Sequence, residues 1–539
     1  MIFFIRFFAM RLPIVLLLLM SGTFVFAQQK QISGGPLKPE QANVDVRHYM
    51  VSLDVSPETQ SYEGFTEIRF NLLAPAADLI FDLANTFTVS SVLVDGKKTS
   101  FSHTDGLVKV KSAQALTTGA HKIRFQFGGK PVVAVRAPWD GGIQWSTDSL
   151  GRTWIAMSCQ EDGADVFFPC KDHPSDEPNE GADLIVTVPK GLVVAGPGIL
   201  IKQTSSGKKS TFHWQTKYTI NTYSILFNVG HYAVVKKTYT TVAGNKVPME
   251  FYVLDYNKDK AEKHLELLER SAQLMEKYFG EYPWAKEKIG IAETPHLGME
   301  HQTMNAYGNH YKYVRMGAVD FDWLLTHEFG HEWWGNKISN IDWAHMWIHE
   351  GIDTFSDALF YEEYGGRKAY LDRMKDAATK FNNKLALVQG PVIDSRQTYH
   401  GDIYGKGGYF MHTLRFVLGD EVFFPAIKSF ATDKQYTYDN FVKTEDVITH
   451  FNAASGKDLQ PLFDLYVYSI DKLQVHLKQT GLQTYELSTK NMKMDLPIEI
   501  QTSAGRSKVQ AGAKPVKINS ATMPVIDPDA YYLKTITIE

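Results

Sequence analysis

Apolar and polar residues alternate with period two through much of residues 45–235, in stretches such as HYMVSLDV, FTEIRFNL, HKIRFQF and ADLIVTV. That period gives a strand one face toward a core and one toward solvent. Asp95-Gly96 and Gly119-Ala120 fall between such runs, where hairpins or loops are expected. An all-β domain over residues 28–235 follows, with the polar residues 28–44 as its leader. Strands persist through 236–255 (YTTVAG, VPMEFYVL), and residues 258–279 then read as a helix with Leu265, Leu268, Leu274 and Met275 set among charges. IGIAETP is a strand, and from 317 to about 470 the pattern is helical, DEVFFPAIKSF and TEDVITHFNAAS each carrying an apolar face. After Tyr468 the alternation returns in LQVHLKQ, YELSTK, LPIEIQT and PVKINS. The predicted class is α+β and multidomain: an N-terminal all-β domain, a mostly helical domain over 236–475, and a small β domain over 476–539. No internal repeats or low-complexity segments interrupt it.

With 539 residues the chain is too long for one core. The formal charge of −4 and the lack of a long basic run point away from nucleic acid. Arg6 and Arg11, the apolar run from Ile14 to Met20, Phe24 to Phe26, and the small-residue site Val25-Phe26-Ala27 read as a signal peptide over residues 1–27, removed before Gln28. Met10 is an alternative start. The residue at 28 is not Cys, which speaks against a lipoprotein anchor, and Ser21-Gly22 breaks the apolar run. The expectation is an exported protein, periplasmic or secreted, with no stable membrane insertion after signal removal. Cys159 and Cys170, the two cysteines, are expected as thiols.

The chemistry concentrates in THEFGHEWWGN. In a helix His327 and His331 sit one turn apart on one face and can ligate one ion, while Glu328 can reach a water on it. This is the H-E-x-x-H zinc-peptidase pattern, and Glu350, eighteen residues beyond His331 in a second predicted helix, supplies a third ligand. Asp357, seven residues on, shares that face and can support a ligand histidine. His345 and His349 repeat the i, i+4 spacing without an acid after the first His, and read as a structural or surface pair.

These residues resemble the M1 family of zinc aminopeptidases. The similarity extends to Trp333, Gly335 and Asn336, to Trp347-x-x-Glu350-Gly351, to Gly298-Met299-Glu300, to Ser158-Cys159-Gln160, to Phe168-Pro169-Cys170-Lys171-Asp172, and to Tyr404-Gly405-Lys406-Gly407. The resemblance implies a saddle-like N-terminal β domain before a thermolysin-like catalytic domain. It also implies one zinc per chain on His327, His331 and Glu350, with Glu328 as general base and Tyr404 donating to the oxyanion. Glu300 and Gln160, or Glu161 in place of Gln160, would hold the amine of a peptide with a free N-terminus. Backbone groups of Gly298 and Met299 would pair with an extended substrate. The chain departs from the family at His301 and His349, where Asn is usual, at Leu297, and at Asp357, where Glu is usual. Gly330 stands inside the metal helix at a cost of about 1 kcal/mol against Ala. Two other functions are compatible with this reading: a bifunctional aminopeptidase and epoxide hydrolase, and a peptide-binding protein that has lost turnover.

Overall fold

The computed structural model describes residues 32–539, so the signal peptide read over residues 1–27 lies outside the described residues. The N-terminal part is built on an eight-stranded sheet whose centre is Val44–Ser56, paired antiparallel to Ser61–Leu72 and parallel to Ala182–Pro189. Val44–Ser56 alternates buried and half-buried residues as its sequence requires, except at a bulge between Val46 and His48 that shifts the register. Beyond the bulge Tyr49, Val51, Leu53 and Val55 enter the core, while His48 turns to Asp183, 3.1 Å away. Asp95 and Gly96 both take positive φ, as a tight hairpin between Phe87–Val94 and Lys97–Lys98 demands. Smaller four- and three-stranded sheets close over the same core.

A second, five-stranded sheet runs in the order Tyr232–Thr240, Lys246–Leu254, Ile289–Glu293, Asn305–Tyr307, Gly298–Met299. The strand Tyr232–Thr240 crosses the boundary placed at 235, and Leu473–Gly481 crosses the one placed at 475. Alternation reports that a strand exists and carries no signal of which sheet it joins. Two residues, Gly298 and Met299, form one edge of this sheet, and that edge faces the helices.

The helices follow the expected pattern. α1 (Ala261–Phe279) buries Leu265, Leu268, Leu274 and Met275 and stops at Gly280, whose φ of 88° ends the helix. α2 (Trp323–Gly330) is short and largely buried; Asp322 caps it, accepting from the Leu325 amide and held by Tyr307 and Asn309. α3 (Trp347–Ala377) kinks at Gly366, φ 78°. α4 (Asp402–Leu418) crosses α3 where Gly351 and Gly407 meet: a Cβ on either would lie 2.8 Å from the other's Cα. Among the described residues no helix is long and apolar enough to cross a membrane.

The C-terminal strands share one core with the helices. Tyr531 stacks on Phe416 with ring centroids 3.7 Å apart, Thr413 donates to the Tyr531 carbonyl at 2.7 Å, and Tyr409 donates to the Ala530 carbonyl. All three contacts fall on α4. The N-terminal sheets are tied to the five-stranded sheet through the buried Lys288 ammonium, which donates to the carbonyls of Gly196 and Gly198, and through Thr303, whose hydroxyl accepts from the Gly198 amide at 2.7 Å.

Candidate active site

His327 lies in the last turn of α2, and His331 directly follows its final residue, so the i, i+4 relation holds although His331 is the helix cap. Glu350 lies in the first turn of α3. One ligand atom from each of the three falls within 4.8 Å of the others. The Glu350 carboxylate oxygen is 3.4 Å from His331 Nε2 and 3.7 Å from His327 Nε2. Two ligands about 2.0–2.2 Å from a tetrahedral zinc stand roughly 3.4 Å apart, so the set fits that ion.

Both imidazoles present Nε2 to this point because Nδ1 is engaged elsewhere. His331 Nδ1 is 2.7 Å from the Trp334 carbonyl; His327 Nδ1 is 2.9 Å from Asp353 and 3.3 Å from Asp357. Asp357 therefore stands where the sequence placed it, and Asp353, which the sequence reading missed, lies closer. Asp353 fits because residue 330 is Gly: a Cβ there would lie 1.8 Å from the Asp353 Oδ1. The structure thus accounts for the unfavourable Gly in α2.

The electrostatics favour a cation. Burial alone would lower the pKa of His331, yet the carboxylates of Asp353 and Glu350 raise it to about 10. Burial acts to raise Glu350, and the two histidines overcome it, holding the carboxyl well below its usual range. Glu328 is pushed up to about 8 by burial, with Glu300 adding to the rise and His327 opposing it. Its carboxylate borders the cleft and approaches the sheet edge so closely that a Cβ on Gly298 would lie 2.4 Å from it. Only glycine fits there.

Glu300 is anchored by the peptide next to it. Asn336 donates to the Glu300 carbonyl at 2.8 Å, and the buried Glu332 carboxylate accepts from Trp284, Thr303, Asn305 and Asn336. This knot fixes the Gly298-Met299-Glu300 segment to the end of α2. The Glu300 carboxylate accepts from Gln160 and, at 3.1 Å, from the Tyr223 hydroxyl; Tyr399 in turn donates to Gln160. Tyr223 and Tyr399 were not singled out from the sequence, since each is one of many tyrosines on its own separate element. Glu161 lines the same cleft, but Gln160 makes the contact to Glu300. Tyr404, in the first turn of α4, brings its ring centroid 6.3 Å from that of His327, and burial together with Glu350 holds its hydroxyl proton firmly.

The remaining candidates are structural. His345 accepts from the Thr444 amide at 3.2 Å and His349 from the Asn340 amide at 3.0 Å; both are buried and do not converge on an ion. His301 is buried, its two ring nitrogens without partners among the described residues. Cys159 and Cys170 are buried free thiols. The cleft joining these groups encloses about 420 Å³ and has Trp139 and Trp323 at its margin, a size that suits a short peptide.

Residues 263–466 match the model of the peptidase family M1 domain. Aminopeptidase M1-B of Oryza sativa subsp. japonica is 24% identical over 463 residues, 78% of this chain and 50% of that protein. Aminopeptidase N of Escherichia coli (strain K12) is 26% identical over 334 residues, 56% of this chain and 38% of that protein. The chain spans about half the length of the curated relatives it matches. Among solved structures, an M1 zinc metallopeptidase from Deinococcus radiodurans superposes with a TM-score of 0.65 at 21% identity, covering 79% of this chain and 93% of that one. A mutant of that metallopeptidase has been solved bound to a Tyr-Ser-Ala substrate. The expected fold, β-rich at both ends with a helical catalytic part between, is the fold these structures share.

Proposed function

We propose, from the match of residues 263–466 to the peptidase family M1 domain, that the protein is a zinc aminopeptidase that removes N-terminal residues from peptides. The observation that carries this reading is the Glu300 carboxylate, buried beside the metal triad and oriented by Gln160 and Tyr223. A carboxylate in that position is a partner for a free α-ammonium, and a metal triad alone gives no preference for chain ends.

One zinc per chain would be held by His327, His331 and Glu350, where it would polarise the scissile carbonyl and acidify a water molecule. Glu328, next to His327 and bordering the cleft, accepts the proton of the attacking water and passes it to the leaving amine. The Tyr404 hydroxyl, kept protonated by its surroundings, donates to the oxyanion as it forms. Glu300 and Gln160 hold the α-ammonium. The edge Gly298–Met299 offers backbone groups to an extended substrate, as an added strand would use them. Neutral or hydrophobic first residues suit the apolar margin of the cleft. The N-terminal charge-then-apolar pattern supports export, to the periplasm or outside the cell.

The test is a peptide and its N-acetylated twin, given to wild type and Glu300→Ala. Wild type should cut only the free-amine peptide, and Glu300→Ala should lose one to two decades of kcat/KM while retaining zinc. A charge-assisted hydrogen bond of about 1.5–3 kcal/mol sets that scale. Efficient cleavage of the acetylated twin by wild type would replace this reading with an endopeptidase.

A further inference from the structure

The cleft carries both signs of charge. Glu300 lies beside His331 and Glu350, and Glu328 and Asp357 also line the cleft. Arg373 and Lys380 are the only arginine and lysine lining it among the described residues. Arg373 belongs to the His327 side: its guanidinium lies 5.8 Å from the centroid of the Tyr361 ring, one helical turn from Asp357, which in turn contacts His327. It follows the kink of α3 at Gly366. Glu300 is thus a neighbour of His331, while Arg373 packs on the stretch of α3 that reaches His327. If Glu300 holds the amine, Arg373 lies on the side of the leaving fragment.

These cations are available for a ligand. Arg373 makes no hydrogen bond among the described residues, and its nearest carboxylate, Asp376, is 3.7 Å away. Asp376 also serves Lys380 at 2.6 Å, so this one anion is shared between the two cations. Arginine presents a planar fork of donors matched to a carboxylate, and here the residue lines a cleft with only a long ion pair to Asp376 and the face of Tyr361 as partners. A bland alternative is a solvated surface pair, yet the Arg373 side chain is three-quarters covered, at 25% exposure.

We propose that Arg373 and Lys380 form a carboxylate-recognition subsite on the leaving-group side of the cleft. The inference rests on the aminopeptidase reading and adds a substrate class: short peptides with a carboxylate close beyond the cleaved bond. Such a peptide is positive at its first residue and negative near its end, matching Glu300 and the Arg373–Lys380 pair in charge. Two sources offer that chemistry, the C-terminal carboxylate and an acidic side chain.

Di-, tri- and tetrapeptides with a common first residue, each as free acid and as C-terminal amide, test the proposal in zinc-loaded wild type, Arg373→Gln, Lys380→Gln and Arg373→Glu. Wild type should prefer the acid over the amide by about tenfold in kcat/KM at the best length, chiefly through KM. The ratio should fall toward one in the two Gln variants and invert in Arg373→Glu. Amides ending in Asp distinguish the sources: recovery assigns recognition to any nearby carboxylate, and no recovery assigns it to the chain terminus. Equal cleavage of acid and amide at every length in wild type would overturn the proposal, as would a preference that survives in Arg373→Glu. An aminoacyl anilide, which has no such carboxylate, reports on the aminopeptidase reading by itself. Calorimetric binding of the acid and amide twins to wild type and Arg373→Glu reads the subsite even if the anilide is not hydrolysed.

Discussion

Gly330→Ala is a severe test of how this site is assembled, because two principles predict opposite signs. Replacing a helical Gly by Ala gains up to about 1 kcal/mol, and less at the end of a helix. Against that, the new methyl would lie 1.8 Å from the Asp353 Oδ1 and 3.0 Å from Met275 Cε. Ordinary contact needs roughly 3.4 Å, so the carboxylate would have to retreat by about 1.5 Å. Asp353 is fully buried and cannot swing into solvent. Its other oxygen is 2.9 Å from His327 Nδ1, a contact that would not survive the move. Overpacking costs about 1–3 kcal/mol, and losing a group that orients a metal ligand costs about 10–100-fold in affinity. The expected result is a lower melting temperature and zinc affinity weakened at least tenfold, read by competition with a chromophoric chelator. Asp353→Ala placed on top should restore stability by removing the clash while leaving zinc weakly bound, a non-additive cycle. If Gly330→Ala bound zinc as tightly as wild type and melted no lower, the packing argument would be refuted.

His331→Ala should drop bound zinc from near one per chain to near none by elemental analysis; full retention would remove His331 from the ligand set. Glu328→Gln should keep zinc and lose on the order of 10²-fold or more in kcat. Tyr404→Phe should leave zinc and KM nearly unchanged and lower kcat; turnover equal to wild type would require another oxyanion donor. Asp183 gives a pH prediction. Burial would raise it, but hydrogen bonds from His48, His213 and Gln215 hold it at about 2, below an unfolded value of about 3.9. Its contribution is thus complete above the unfolded value and is lost as pH falls toward 2. Asp183→Asn should cost about 1 kcal/mol at pH 5, after allowance for solvent screening, and should flatten the acid limb of urea midpoints; parallel limbs in wild type and variant would contradict this.

The convergence of His327, His331 and Glu350 was legible because helical spacing and a distant carboxylate are one-dimensional signals. The strands were legible because burial imposes period two on their residues. Asp353 was not, since its role depends on a missing side chain at Gly330 in another helix. Tyr223 and Tyr399 escaped because their hydroxyls arrive from separate elements to meet Gln160 and Glu300. Arg373 and Lys380 escaped because they lie beyond a kink at Gly366 that periodicity does not report. The bulge in Val44–Ser56 likewise has no marker in the alternation on either side of it.

The contacts of the C-terminal strands with α4 bear on how damage would spread. Tyr404 opens the helix that Tyr409, Thr413 and Phe416 fasten to Ala530 and Tyr531. A protease nick or frameshift near Tyr531 would touch no residue of the cleft, yet it would release the far turns of α4 and uncover the Phe416 ring. Such a lesion would masquerade as a catalytic defect, with the zinc ligands on α2 and α3 intact and Tyr404 left to wander.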